Sequence, residues 1–366
     1  MNYSRRIKKL QKNLKKKKID ALLVSQPENR HYLTGYRGSD HGIAETSGVL
    51  IILSSGPVYL LTDFRYQLQA EKDVPWATVL IYRKGLLKLL NMLLPDLKVK
   101  TLGFESHYTL CSFAEEMRPI LKKKDISLIP TSTLIEKMRV IKDEDEIDLI
   151  RASVRLNEEV FQEIAPTISK AQSEIEVALA IESLMRRKGA ESISFDSIVA
   201  SGKNGALPHA VPGNSLIKPN KSLTIDMGLI LKNYCSDMTR NFVPGKADKK
   251  YISLHRLVRK AQLAGMATVR AGIKGKDVDK KARAVITDAG YGPYFGHGLG
   301  HGVGLAVHEE PRLSPLSNKK LKAGMIVTVE PGIYIPGWGG IRLENMLVVR
   351  EDGYENLNKN TTWLDI

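Results

Sequence analysis

Cysteine is scarce in this chain: Cys111 and Cys235 are the only two among 366 residues. Two thiols without CxxC spacing exclude a disulfide framework and suit a reducing, cytoplasmic setting. Cys235 lies near Asp237, where a lone thiol reads as packing. Long apolar runs are also missing, and no stretch approaches the roughly 20 residues of a membrane span. The charged N-terminus is not followed by an apolar core and a small-residue cleavage site, so no secretory leader is expected. The glycine-rich run at 296–310 contains neither GxGxxG nor GxxxxGK[ST], which argues against a phosphate cradle. No internal sequence repeat is visible.

Lysine, by contrast, is abundant. The net charge is +15, and residues 1–130 hold 22 Lys and Arg against 12 Asp and Glu. Lys8, Lys9, Lys12 and Lys15 to Lys18 dominate that excess. A nucleic-acid or anionic-surface patch is one reading. A solvated helix face is the plainer one: Ile7, Leu10 and Leu14 form a buried stripe and the lysines point outward. Without aromatic interleaving or a nucleic-acid module, the solvated face is preferred, with neither nucleic acid nor membrane as partner.

The length suits two domains with their own cores. Short β-rich runs (IDALLVS, GVLIILS, VYLLTD, ATVLIY, TLGFE) alternate with helical ones (RRIKKLQKNLKKKK, GLLKLLNML), which predicts an α/β N-terminal domain over residues 1–130. Residues 131–366 predict an α+β domain. A helical stripe through Ile147, Ile150, Val154, Phe161 and Ile164 is stopped by Pro166, and Ser173 with Glu176 forms a capping box for the next helix. Two more helices are expected near 248–271 and 276–289. They separate two hairpins that carry acids, an order that hints at pseudo-symmetry.

The first hairpin is SLTIDMGLILKNYCSDMTR, residues 222–240. A turn near Leu231–Lys232 would pair Ile230 with Asn233 and set Asp226 opposite Asp237. Like charges opposed on a sheet repel, so such a pair needs a cation or a shared proton, unless the two are unrelated acids at a rim. The second, MIVTVEPGIYIPGWGGIRLENMLVV at 325–349, places Glu330 and Glu344 symmetrically about Gly337. Both pairs sit among Val, Ile, Leu and Met, where a lone ionised carboxylate is too costly to bury. Between the hairpins runs GHGLGHGVGLAVHEE, 296–310. Glycine occupies every second position from 296 to 304, and His297 and His301 share the alternate face. That period predicts an extended strand whose glycine face admits another backbone closely. Five glycines in nine residues argue against a helix. Four carboxylates with an imidazole form a hard donor set suited to one or two divalent ions, and two such ions can polarise a carbonyl for hydrolysis.

These residues carry a resemblance. The ordered motifs ALPHAVP, TIDMG, CSDMTR, HGLGHGVGL with VHE, VEPGIY and GIRLEN resemble the M24 metallopeptidases of the pita-bread fold. Within them they look most like the Xaa-Pro aminopeptidase and Xaa-Pro dipeptidase (prolidase) branch. RRIKKLQKNLKKKKIDALLVSQPENRHYLTGYRGS is similar to the creatinase-type N-terminal domain of that branch, so the resemblance spans nearly the whole chain. It implies metal ligation by Asp226, Asp237, His301, Glu330 and Glu344, with Asp237 and Glu344 bridging two ions, most readily Mn²⁺, with Co²⁺ and Zn²⁺ as alternatives. It implies substrate roles for His209, His308, Arg342 and Tyr334, a cleft position for His297, and a homodimer. Asn345 stands where an acid is common and Ala306 where a larger residue is; neither is a ligand position.

The implied function is a Xaa-Pro aminopeptidase cleaving before proline, with Glu330 as general base and then acid, and His308 on the oxyanion. The nearest alternative is a prolidase restricted to dipeptides. Metal-free creatinase-like hydrolysis and a non-enzymatic binding protein fit the filled ligand set less well.

Overall fold

In the computed structural model, which describes residues 1–366, the lysine-rich N-terminus forms helix α1, Tyr3–Lys16. Ile7, Leu10 and Leu14 are buried and the lysines lie outward, as the solvated-face reading requires. Asn2 caps the helix by accepting from Arg5 N, and Lys15 and Lys16 complement the negative end of its dipole.

Two compact units follow the chain, Met1–Arg139 and Val140–Ile366. The first is built on six strands: β1 (Ala21–Val24), β2 (Val49–Leu53), β3 (Val58–Thr62), β4 (Thr78–Ile81), β5 (Thr101–Glu105) and β6 (Ser127–Thr131). Their order in the sheet is β4-β3-β2-β1-β5-β6, with β2 antiparallel to both neighbours and the other pairs parallel. The helices are α2 (Pro27–Thr34), α3 (Gln67–Asp73), α4 (Leu86–Asp96), α5 (Cys111–Lys122) and the short α6 (Glu136–Arg139). One core joins Leu23, Ile51 and Leu102 of the sheet with Leu90, Leu94 and Met117 of α4 and α5.

The second unit repeats a plan of two helices followed by strands. Helix α7 (Glu144–Ile164) opens with a capping box between Asp143 and Glu146, and α8 (Glu174–Arg187) with the one between Ser173 and Glu176. Strands β7 (Ser192–Ile193), β8 (Ile198–Ser201), β9 (Leu223–Met227), β10 (Leu229–Leu231), β11 (Tyr234–Cys235) and β12 (Met238–Phe242) follow. Then come α9 (Lys249–Met266) and α10 (Gly275–Asp288). The last strands are β13 (Gly300–Gly302), β14 (Glu309–Leu313), β15 (Ile326–Val329), β16 (Gly332–Ile335), β17 (Gly339–Arg342), β18 (Asn345–Val349) and β19 (Tyr354–Asn356). Each half has its own apolar core. Phe161, Ile181, Ile225 and Met238 belong to the first, and Val258, Ala282, Val327 and Leu347 to the second.

The first acid hairpin departs from the expected register. Its turn is Lys232–Asn233, both in the left-handed region at φ 49° and 67°, so Leu231 pairs with Tyr234 and Asp226 with Thr239. The pairing is displaced by two residues from the one expected. A displacement of two preserves the face of every side chain, so Asp226 and Asp237 stay on one side of the sheet as diagonal neighbours instead of direct opposites. The second hairpin keeps its expected symmetry: Gly332 pairs with Arg342, and Val329 with Asn345.

Candidate metal centre

Glu330 and Glu344 sit at a break in the second hairpin, between the β15–β18 ladder and the β16–β17 ladder. The break has a purpose. Glu330 N donates to Leu299 O at 2.9 Å, and Glu344 N donates to Thr239 O at 3.1 Å. The backbone bonds that leave the hairpin thereby tie one glutamate to the glycine–histidine segment and the other to the first acid hairpin. Three parts of the sequence converge on one cavity of about 650 Å³, which Asp226, Asp237, His301, Glu330 and Glu344 all line.

The glycine–histidine segment is less extended than its period of two suggests. Only Gly300–Gly302 forms a strand, paired with β14 and broken by a bulge after His301. Beyond it the chain turns back, with Gly304 N donating to Ala306 O. The reason for glycine at 300 is as expected: a Cβ there would lie 2.1 Å from Thr328 O. His301 Nδ1 lies 3.1 Å from the carbonyl of Gly302. A proton on Nδ1 makes that bond and leaves the Nε2 lone pair facing the acids, 3.6 Å from Asp237 Oδ2 and 3.4 Å from Glu330 Oε1. Asp237, His301 and Glu344 each present a ligand atom within 4.8 Å of the others.

Two threonines and an arginine hold these groups. Thr239 Oγ1 donates to Glu344 Oε2 at 2.8 Å and accepts from Arg342 Nε at 3.1 Å. Thr328 Oγ1 donates to Glu330 Oε1 at 3.0 Å and accepts from His301 N. Thr239 follows Asp237 by two residues near the start of β12, and Thr328 precedes Glu330 by two at the end of β15, the spacing that puts side chains on one face of extended chain. That spacing was readable in the sequence, and neither threonine was anticipated. Arg342 is buried and acts as a hub: it donates to Asp226 Oδ2 at 2.6 Å, to the Tyr334 hydroxyl at 2.8 Å and to Pro208 O at 3.0 Å. The last bond secures the loop that carries His209, which is exposed and lines the cavity.

His297 lines the cavity as well and lies 2.9 Å from the Tyr334 hydroxyl. Its backbone carbonyl accepts from Arg283 Nη2 of α10 at 2.6 Å. Tyr334 itself stands behind the cavity wall, bonded to His297 and Arg342. His308 is exposed to the cavity, its ring edge-on to that of His301 at 4.5 Å. Arg312 also lines the cavity, exposed, with no hydrogen bond or ion pair from its guanidinium. The motifs gave no cue to it beyond its place four residues after His308.

The charge balance of this cluster is unsettled by the protein alone. Burial first, then the charges of Glu344, Asp226 and Glu330, raises Asp237 well above the ordinary carboxylate range. Burial, then Glu330 and Asp226, does the same to Glu344. Burial pushes Glu330 up to about 7, although Arg342 pulls the other way. His301 is lowered to about 3 and His297 to about 4, both chiefly by burial, so both rings are neutral near pH 7. Asp226 Oδ1 and Glu344 Oε1 are buried and have no hydrogen-bond partner. Unpartnered buried carboxylate oxygens beside a neutral imidazole lone pair fit a hard divalent cation, which supplies the missing contacts and lets the acids ionise.

Comparison with known proteins agrees with this chemistry. Residues 148–351 match metallopeptidase family M24, and residues 6–141 match the creatinase/prolidase N-terminal domain. The Xaa-Pro dipeptidase of Pyrococcus horikoshii is 33% identical over 356 residues, 97% of each chain. An Xaa-Pro dipeptidase structure from Bacillus anthracis superposes with a TM-score of 0.91 at 36% identity, over 98% of both chains. An X-Pro aminopeptidase structure from Thermotoga maritima MSB8 superposes with a TM-score of 0.86 at 34% identity, over 94% of this chain and 96% of that one.

Proposed function

The chain belongs to metallopeptidase family M24, and on that premise we propose that it hydrolyses Xaa-Pro dipeptides with two divalent ions, manganese first among them. The pita-bread catalytic fold and metallo-exopeptidase chemistry come with the family. Dipeptidase takes precedence here over the aminopeptidase reading of the motifs, because proteins named Xaa-Pro dipeptidase recur among both the curated relatives and the solved structures at 33% to 36% identity over 97% to 98% of this chain, although an X-Pro aminopeptidase structure also covers 94% of it at 34%.

Arg312 is the observation that carries the dipeptide reading. It is an unpartnered cation lining a cavity otherwise rich in acids. A dipeptide ending in proline brings a free carboxylate beside the bond to be cut, and a guanidinium pairs with such a group in a fork. A longer peptide has an amide at that place and forfeits the pairing. The apolar wall of Phe195, Ile198, Ala210, Val211 and Pro212 suits the proline ring, whose tertiary amide offers no N–H to recognise.

Asp226, Asp237, His301, Glu330 and Glu344 would hold the ions. When bound, such ions polarise the scissile carbonyl and acidify the attacking water. Glu330 takes the water's proton; its Oε1 is fixed by Thr328, leaving Oε2 for the exchange. The same carboxyl then delivers that proton to the proline nitrogen as the C–N bond breaks. His308 donates to the oxyanion formed at the carbonyl, and His209 contacts the substrate beside the leaving group. Arg342 keeps Asp226 and the His209 loop in place.

Matched peptides test this reading. We expect kcat/KM for Xaa-Pro to exceed that for Xaa-Pro-Yaa and for Xaa-Ala by at least about tenfold each, a difference of about 1.4 kcal/mol. Arg312→Met should erase the first preference mainly through KM. Equal turnover of dipeptides and tripeptides by the wild type would restore the aminopeptidase reading.

A further inference from the structure

A buried ion pair closes the turn that presents His308. Lys142 Nζ donates to Glu309 Oε2 at 3.0 Å, with the two side chains 1% and 6% exposed. The other oxygen of Glu309 accepts from Ala306 N at 3.2 Å, so the carboxylate folds back under its own turn. Gly304 leaves room for it: a Cβ there would lie 2.8 Å from both Glu309 oxygens. Lys142 is itself anchored, its N–H donating to Gly324 O at 2.8 Å. From the opposite side, Cys235 N donates to Gly304 O at 2.8 Å and its thiol reaches Leu305 O at 3.6 Å. Residues 304–309 are thus gripped at both ends.

His308 depends on that grip. Its ring touches His301 edge-to-face, and no protein hydrogen bond holds either of its nitrogens. Its aim therefore follows the backbone beneath it. A sealed ion pair is a poor source of stability, because desolvating two charges offsets most of their attraction and an apolar pair of similar volume does as well. What the pair provides that an apolar pair does not is a fixed distance and direction between Lys142 and Glu309.

We propose that Lys142 and Glu309 are positioning residues for the hydrolysis, setting the height and angle of the His308 ring over the cavity floor. The proposal rests on the reading above in which His308 acts on the scissile carbonyl. Small misplacements of a reacting group cost as much as about a hundredfold in rate.

The test uses metal-loaded enzyme and four proteins: wild type, Lys142→Met, Glu309→Gln, and the double variant Lys142→Met/Glu309→Leu. We expect kcat on an Xaa-Pro dipeptide to fall about 10- to 100-fold in both single variants. KM should stay within about threefold and metal content should be unchanged. Each single variant strands a buried charge or polar group and should melt lower, whereas the double variant should regain the melting temperature and keep the low kcat. A kcat that recovers together with the melting temperature would show a merely structural role and overturn the proposal. So would single variants whose kcat stays within about twofold of wild type, or whose loss follows lost metal. The His308 ring signal in ¹³C-histidine-labelled protein, assigned with His308→Gln, gives a readout free of substrate. It should shift in the double variant, and an unmoved signal overturns the proposal even if wild type proves inactive on Xaa-Pro dipeptides, a result that would sink only the substrate reading.

Discussion

Glu105 in the N-terminal unit and Glu344 in the catalytic unit are buried to a similar degree, 4% and 1% exposed, yet their surroundings are opposite in kind. Both oxygens of Glu105 are occupied. Oε2 accepts from Ser25 N at 2.7 Å and Gln26 N at 2.8 Å, and Oε1 from Asn29 Nδ2 at 2.6 Å. Asn29 is in turn held by Arg139. Glu344 has Thr239 on one oxygen and nothing on the other, and acids for neighbours. Burial raises both carboxyls, so a raised pKa does not separate scaffold from site. The accounting of hydrogen bonds does. A saturated buried acid ties strands together, whereas an unsaturated one facing other acids waits for a cation.

The largest expected effect comes from exchanging the charge at each place. Asp237→Asn or Glu344→Gln should lower both metal content and kcat by at least about a hundredfold, since losing even a supporting partner of a ligand costs about 10- to 100-fold. Glu105→Gln should keep metal content and kcat and cost about 1–3 kcal/mol of stability in a urea titration. If Glu105→Gln also emptied the metal site, the division between scaffold and site would fail.

Next in size are the threonines that orient the acids. Thr239→Val and Thr328→Val preserve shape and remove the hydroxyl. Isothermal titration should show metal affinity weakened about 10- to 100-fold while far-ultraviolet circular dichroism stays native. Unchanged affinity would mean that the acids are aimed by their strands alone.

The smallest effect lies on the scaffold side. His255 is buried, with Nε2 3.0 Å from Trp363 O, and burial lowers its pKa to about 4. Its unfolded value is about 6.5, so the unfolded chain takes up the proton first as pH falls. The stability that the neutral ring contributes is fully present above pH 6.5 and is lost as pH falls toward 4, by no more than about 3 kcal/mol. His255→Gln should retain a donor to Trp363 and flatten this part of the acid limb. Parallel pH profiles for variant and wild type would contradict the assignment.

Much of the site was legible because its chemistry is written in strands, where position fixes face. The symmetry of Glu330 and Glu344 about Gly337 survives in the ladder, since Gly332 pairs with Arg342. The first hairpin slipped by two because its turn, Lys232–Asn233, has no glycine to mark it, although both residues adopt positive φ. In the N-terminal unit the five β-rich runs are all strands, while β6 was missed: SLIPT carries Pro130, tolerated because β6 is an edge strand. Helices α4 and α5 contain Pro95 and Pro119 within their last turns; α4 was read from its leucine-rich GLLKLLNML, whereas α5, with only Ala114, Met117 and Leu121 buried, escaped notice. Arg312 and Lys142 were illegible for a different reason. Their importance lies in which loops the fold brings beside them, and no local pattern encodes that.

The central claim is that the unsatisfied acids of the cavity complete themselves with two divalent ions and cleave Xaa-Pro dipeptides. Its most direct test is a titration of Mn²⁺ into exhaustively chelated protein, following hydrolysis of an Xaa-Pro dipeptide against ions added per chain. The account predicts no turnover at zero, a rise to a plateau at about two ions per chain, and a parallel rise in melting temperature by mass action. Full activity before any metal is added would contradict it.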